Sequence, residues 1–223
     1  TYAWTASNGG NIVSGNDKAI PTINAAGTYN VVVTSSNGCV ASNQIVVTED
    51  KVLPTVSTSG SELTCKNTVV SIQSSTNNSV TYNWTTADGN ILNGQGTDKV
   101  NVDKAGKYTL LVTDNKNGCE ATSTIQITEN KVAPEVTTNN PSQLTCLNTS
   151  SNVSASSTNQ NVSYLWSATN GGQFDGNNDG SSINTSTKGS YVVVVTDNVN
   201  GCQTTKSVEV TENKAKPDIF VSS

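Results

Sequence analysis

The chain has 223 residues, a formal net charge of −5 at pH 7 and 33% hydrophobic residues, with no apolar run long enough to span a bilayer or act as a secretion signal. It contains no His, and all 12 basic residues are Lys, so the usual general base at neutral pH and the usual bidentate phosphate clamp are absent. The acidic balance disfavours nucleic acid and anionic membranes. We therefore predict no enzyme, no nucleic-acid partner and no membrane span in this chain.

A repeat marked by Tyr-x-Trp runs along the chain. Trp4, Trp84 and Trp166 each follow a Tyr by two positions and lie 80 and 82 residues apart. The motif LTC, with Cys65 and Cys146, keeps the same step. So do the segments AGTYNVVVTSSNGC, AGKYTLLVTDNKNGC and KGSYVVVVTDNVNGC, and the segments TEDKVLP, TENKVAP and TENKAKP.

These landmarks predict four segments. Residues 1–50 are the C-terminal part of a truncated repeat, 51–131 and 132–214 are complete repeats, and 215–223 start a further repeat. Both ends fall inside a repeat unit, and we expect simple truncation rather than completion of the first unit by strands from another chain.

Within a repeat the apolar pattern has period two, which is typical of half-buried strands. Tyr108, Leu110 and Val112 share one face, whereas Thr109 and Thr113 face the other way. Clusters of Gly, Asn, Asp and Ser separate such runs, and no segment has helical periodicity. We therefore predict an all-β fold of tandem immunoglobulin-like β-sandwich repeats, about 80 residues each, arranged as a rod.

The aromatic residues recur at repeat positions and are predicted to pack in the sandwich cores rather than to form a sugar-stacking surface. These core aromatics are Trp4, Trp84, Trp166, Tyr29, Tyr108 and Tyr191.

The cysteines predict disulfides and so an oxidising, extracellular compartment. We predict that Cys65 pairs with Cys119 and Cys146 with Cys202, because each repeat would then be self-contained, and that Cys39 has a partner upstream of residue 1. In a standard sandwich, however, the corresponding turns lie at opposite ends. Bridges between neighbouring repeats are the alternative.

Acidic loops are candidate calcium sites, because Asp and Asn oxygens suit a hard cation. Asp175 and Asp179 in DGNNDG are the first candidates, although turn formation explains the same residues. A second candidate lies near the repeat junctions, with Asp114, Asp197, Glu49, Glu129 and Glu212. We predict no other cofactor.

The combined motifs LTC, Y-x-W, G-x-Y-x-x-x-V-T, NGC and TEN-x-x-x-P resemble the repeats of large surface adhesins of gliding Bacteroidetes, such as SprB-like adhesins. The resemblance covers essentially the whole chain. It implies type IX secretion, display at the cell surface as a filament, and a role in cell adhesion or gliding motility.

We therefore expect a structural stalk segment whose main partners are neighbouring repeats of the same chain. Lateral or end-to-end self-association is a further expectation. The alternative is a binding module whose loops at one end of each repeat hold a surface glycan or a protein ligand.

Overall fold

A computed structural model describes residues 1–219, and every regular element in that range is a β-strand. None of the described residues belongs to a helix of the length and apolarity that crossing a membrane requires. The strands are β1 (Tyr2–Ser7), β2 (Ile12–Ser14), β3 (Thr22–Ile23), β4 (Gly27–Thr34), β5 (Val40–Val47), β6 (Val56–Gly60), β7 (Leu63–Thr64), β8 (Val70–Thr76), β9 (Val80–Thr86), β10 (Asn90–Asn93), β11 (Lys99–Lys104), β12 (Gly106–Asp114), β13 (Glu120–Ile127), β14 (Glu129–Asn130), β15 (Val136–Thr138), β16 (Ser151–Ser157), β17 (Val162–Thr169), β18 (Ser182–Thr185), β19 (Gly189–Asp197) and β20 (Gln203–Val210).

One three-stranded sheet recurs in all three repeats. Its strand orders are β1-β4-β5, β9-β12-β13 and β17-β19-β20. The first and third copies share one antiparallel register, since Trp4 lies opposite Val31 and Trp166 lies opposite Val193. The Tyr-x-Trp strand and the strand before Asn-Gly-Cys are therefore hydrogen-bonded neighbours.

A second sheet recurs in the two later repeats, with orders β10-β11-β8-β6 and β15-β16-β18. Its alternate residues are buried, as Val70, Ile72, Val100 and Val102 illustrate. In the third repeat the buried residues form one apolar cluster. The cluster contains Val136, Leu144, Val153, Ala155, Trp166, Ile183, Tyr191, Val193, Val195, Val208 and Val210.

The described chain divides into two compact units. Unit 1 comprises residues 1–55, 78–80 and 113–121, and unit 2 comprises the other described residues. The four repeat segments predicted from the sequence remain a prediction. Of the last segment, 215–223, residues 220–223 lie outside the described part.

A tyrosine closes each copy of the recurring sheet. The hydroxyl of Tyr108 accepts a hydrogen bond from the Asn90 amide at 2.9 Å and donates to the Lys104 carbonyl at 2.6 Å. Tyr29 makes the same pair of bonds with Asn11 and Ala25. Each phenol thus ties its strand to the preceding loop, as in the tyrosine corner of immunoglobulin-type sandwiches.

Candidate functional site

Two of the three predicted core indoles lie in the interior. Trp84 and Trp166 are each 1% exposed, and their indole nitrogens donate to the carbonyls of Thr97 and Gly180. Trp4 makes the corresponding bond to Lys18 but is partly exposed, contrary to its predicted core position. Among the described residues of unit 1, only the β1-β4-β5 sheet and the small β2-β3 pair belong to its repeat, so no second sheet covers this ring.

The three core tyrosines are buried, each with 0 to 1% of its surface exposed. Their residues are Tyr29, Tyr108 and Tyr191. In the third repeat Phe174 packs edge-on against Tyr191, with ring centroids 5.9 Å apart.

The structure corrects the predicted disulfide pairing. Cys65 is bonded to Cys202, with their Cα atoms 5.0 Å apart, so both predicted bridges within a repeat are wrong. Among the described residues Cys39, Cys119 and Cys146 carry free thiols. The bridge joins the LTC segment of the second repeat to the Asn-Gly-Cys turn of the third, across 137 positions of sequence.

The position of the LTC segment explains why Cys65 bonds to Cys202 rather than to Cys119. Leu63–Thr64 pairs in parallel with Glu129–Asn130, the start of the linker that leaves the same repeat. The Leu63 amide donates to the Thr128 carbonyl at 3.0 Å, and the Leu63 side chain is fully buried. Cys65 therefore lies beside the exit of its own repeat, where the next repeat begins.

The Asn-Gly-Cys turn of the third repeat is shaped by Asp197. Its buried carboxylate accepts the Val199 amide at 2.8 Å, the Asn159 side-chain amide at 2.8 Å and the Asn200 amide at 3.4 Å. These bonds, with the Val199 amide as the largest contribution, hold the pKa of Asp197 below its ordinary value. Gly201 takes the left-handed conformation, with φ of 74°, that a residue with a side chain rarely adopts.

Asn200 connects this turn to the linker. Its side-chain nitrogen donates to the Val132 carbonyl at 2.9 Å and to the Asn130 side-chain oxygen at 3.0 Å. Its side-chain oxygen accepts the Cys202 amide at 2.8 Å. Its carbonyl accepts the Lys66 amide at 3.0 Å, so one residue, only 2% exposed, contacts the linker, the LTC segment and the cysteine.

A second arrangement of this kind lies within unit 1. The Asn117 side chain donates to the Val52 carbonyl at 2.9 Å and to Asp50 at 3.1 Å, and it accepts the Cys119 amide at 2.9 Å. Lys116 forms an ion pair with Asp50 at 3.0 Å, and this contact is the largest cause that lowers the pKa of Asp50. The contact between this asparagine and the linker therefore forms here although the neighbouring Cys119 is not in a disulfide.

Sequence reasoning missed the role of this asparagine. The signal was present, since Asn precedes Gly-Cys in all three repeats, at Asn37, Asn117 and Asn200. Turn formation alone explains Asn-Gly, so the linker contact became visible only in the folded chain.

Six of the seven candidate calcium ligands have other partners. Asp175 accepts a hydrogen bond from Ser186 at 3.0 Å, and Asp179 is exposed. Asp114 and Asp197 accept turn amides. Each linker glutamate forms an ion pair with the Lys two positions on, at Glu49–Lys51, Glu129–Lys131 and Glu212–Lys214. Within residues 1–219 no three His, Cys, Asp or Glu residues group as metal ligands, and calcium binding stays a prediction.

Comparison with solved structures returns matches at low similarity. Three N-terminal domains of the bacteriophage RB49 outer capsid protein Hoc align over 96% of this chain and 88% of that chain, at 13% identity and a TM-score of 0.36. Drosophila N-cadherin EC1-3 aligns over 96% and 89%, at 11% identity and a TM-score of 0.29. Murine CEACAM1b aligns over 71% and 100%, at 13% identity and a TM-score of 0.31. These TM-scores support no inference about function.

No curated protein matches the chain. A family model does match, and it covers one repeat. Residues 51–128 match the PKD-like domain. Together with the helix-free sheets of residues 1–219, this match confirms the predicted all-β, immunoglobulin-like fold class.

Proposed function

We propose that this chain is a tension-bearing stalk segment of an extracellular, cell-surface adhesin. The observation that carries the proposal is the Cys65–Cys202 bridge, because it joins one repeat covalently to the next. A bridge confined to a single repeat would leave the junction between repeats to non-covalent contacts alone.

The bridge changes how a pulling force travels. When the chain is pulled from its ends, the load passes from Cys65 through the sulfur–sulfur bond to Cys202. The strands between those residues are then shielded, because an intact bridge prevents Cys65 and Cys202 from separating. Strands β8 to β19 all lie in this shielded segment. A stalk that connects a binding tip to a cell needs this resistance to extension.

The junction also limits bending between the two repeats. Asn200 holds the linker at Asn130 and Val132, and the Thr204 hydroxyl donates to the Pro134 carbonyl at 2.6 Å. A linker with a fixed path and a proline gives neighbouring repeats a preferred orientation. A rod of stacked repeats is the arrangement that we propose for the longer array.

The cellular setting completes the proposal. A structural disulfide persists in oxidising, extracytoplasmic compartments. The spaced motifs resemble those of SprB-like adhesins, so we propose secretion by the type IX route and a role in adhesion or gliding motility. Function then depends on the length and strength of the array.

Single-molecule force spectroscopy tests the load path. The chain is tethered through both termini and pulled in oxidising buffer, and the Cys65→Ser/Cys202→Ser variant serves as the comparison. The variant should release about 480 Å more contour length, at about 3.5 Å for each of the 137 positions that the bridge spans. Equal contour lengths for the two proteins would show that the bridge does not shield the strands, and the stalk proposal would lose its support.

A further inference from the structure

We propose that the exit of the third repeat, centred on Cys146, is a covalent docking site for the Asn-Gly-Cys turn of a further repeat of this type. Cys119, in the Asn-Gly-Cys turn of the second repeat, would bond in the same way to the LTC cysteine of a preceding repeat. The LTC cysteine of each repeat would thus bond the Asn-Gly-Cys cysteine of the following repeat.

The LTC segment of the third repeat has the same backbone contacts as the LTC segment of the second repeat. The Leu144 amide donates to the Thr211 carbonyl at 2.9 Å, as Leu63 does to Thr128 at 3.0 Å. Leu144 bridges in parallel to Glu212 and, like Leu63, is fully buried. Cys146 therefore lies beside its outgoing linker as Cys65 does.

The turn around Cys146 also has the same hydrogen bonds as the turn around Cys65. The Thr145 amide donates to the Asn148 carbonyl at 2.9 Å, and the Thr145 hydroxyl accepts the Asn148 amide at 2.9 Å. Thr64 and Asn67 exchange the same two bonds, at 2.9 Å each. The backbone that brings Cys65 to its partner is thus already formed around Cys146.

What differs is occupancy. Beside Cys65, the Lys66 amide donates to the Asn200 carbonyl at 3.0 Å, whereas the amide of the equivalent Leu147 donates to the Thr145 hydroxyl of its own turn at 3.2 Å and Cys146 carries a free thiol. Among the described residues, the Cys146 segment therefore lacks the Asn-Gly-Cys turn that contacts the Cys65 segment.

The Asn-Gly-Cys turn around Cys119, in unit 1, has the same form as the turn around Cys202 but is not covered by an LTC segment within residues 1–219. A Cβ built on Gly201 would lie 2.7 Å from the Lys66 Cβ, because the LTC segment covers that turn. A Cβ built on Gly118 would meet no atom within 4 Å, and Asn117 is partly exposed whereas Asn200 is 2% exposed. The turn around Cys119 is therefore already formed, and among the described residues no segment covers it at Gly118.

The bond forms by thiol–disulfide exchange. Two thiols lose two protons and two electrons as the sulfur–sulfur bond forms, and an oxidant of the disulfide class accepts them as its own sulfur–sulfur bond is broken into two thiols. Oxidised glutathione supplies this oxidant in the experiment below. The incoming cysteine belongs to the next repeat of the same chain, as Cys202 does for Cys65.

The test extends the array by one repeat. A second copy of residues 135–217 is inserted between Pro217 and Asp218 of the full chain. The inserted copy carries Cys146→Ser, so that the original Cys146 is the one unpaired LTC cysteine, and Val199→Ile, which marks the cysteine peptide of the insert in mass spectrometry. After refolding in a glutathione buffer, bridges are mapped without reduction.

We expect the Cys65–Cys202 bridge to persist and Cys146 to bond the marked cysteine of the inserted copy. Free thiols should then be confined to Cys39 and Cys119, instead of the three present in the original chain. A marked cysteine that displaces Cys202 from Cys65 would overturn the inference, as would incoming cysteines that stay free in both of the inserts used. Because misfolding of the inserted copy would also leave its cysteine free, a second insert made of residues 55–134 is examined in parallel.

The original chain distinguishes the next repeat of one chain from a second copy as the source of the incoming cysteine. Under the same buffer it should remain monomeric on a non-reducing gel, which assigns the docking to repeats of one chain. Dimers joined through Cys146 and Cys119 would support the site with a second copy as its source. The inference names the partner of the proposed stalk site, but the bridge map reports pairing whether or not the pulling experiment supports tension bearing.

Discussion

Asn200 shows how a single side chain couples backbone shape to assembly. Its oxygen fixes the Cys202 amide, and its nitrogen satisfies a carbonyl of the linker that precedes its own repeat. Cys202 and Asn200 are each only 2% exposed, so the amide side chain replaces the hydrogen bond that water would otherwise make to the Cys202 amide.

Asn200→Ala should lower the free energy of unfolding by about 1–3 kcal/mol, since it leaves the Val132 carbonyl and the Cys202 amide without a partner. Urea denaturation followed by tryptophan fluorescence measures the change. Asn37→Ala is the matched control, because Asn37 is exposed and bonds within its own turn. Equal losses in the two variants would contradict the linker contact.

Asp197 gives the junction turn a dependence on pH. Its pKa lies below the ordinary 3.8, so the ionised carboxylate contributes stability above that value, and the contribution is lost as pH falls through the folded pKa. Asp197→Asn should therefore show a flatter decline of unfolding free energy between about pH 4 and pH 2 than the unmodified chain. The exposed Asp179→Asn is the control for loss of one charge, and an unchanged slope in Asp197→Asn would refute the assignment.

At the scale of elements, the recurring sheet depends on a close crossing of two backbones. A Cβ on Gly189, the first residue of β19, would lie 2.5 Å from backbone atoms of Gly172. Gly27 and Gly106 meet Gly10 and Gly89 in the same manner. The crossing places the loop where the tyrosine hydroxyl can bond it, as Tyr191 does with Gln173 at 3.1 Å. The strand and the loop thus require glycine for packing at these positions.

Gly189→Ala should destabilise the chain by roughly 1–3 kcal/mol, because backbone must move to admit the methyl group. Thermal unfolding monitored by circular dichroism measures this effect. Gly96→Ala provides the comparison, since a Cβ there meets nothing within 4 Å. If the two variants had the same melting temperature, the close backbone crossing at Gly189 would not limit packing.

At the scale of the whole molecule, the bridge closes a loop of 137 positions that contains a second LTC cysteine, Cys146. If Cys146 bonds a further repeat, successive loops interlock, since each starts inside the one before. Such an array would resist extension at every junction and would not depend on the stability of any single repeat.

Cys65→Ser/Cys202→Ser should lower the free energy of unfolding by about 2–5 kcal/mol, because the open chain gains entropy when it unfolds. Denaturant titrations with and without reducing agent measure the difference. Cys146→Ser should leave this stability unchanged, as Cys146 carries a free thiol here. A similar loss from Cys146→Ser would mean that the thiol, and not the bridge, supports the fold.

The sequence by itself determined the fold class. Alternation with period two, turn clusters and recurring aromatics are local signals, and every strand of a sandwich carries them independently of its neighbours. The register of Trp166 opposite Val193 and the burial of Tyr191 follow from the same pattern, because one face of each sheet must leave water.

Only the tertiary structure decided the bonding of the cysteines and the exposure of Trp4. Spacing along the chain shows that Cys65 and Cys119 belong to one repeat, but it does not show which ends of the sandwich they occupy. That depends on the parallel pairing of Leu63–Thr64 with Glu129–Asn130. Each of these segments is only two residues long and carries no local strand signal. Burial of an indole likewise depends on a covering sheet, and therefore on contacts that no local pattern encodes.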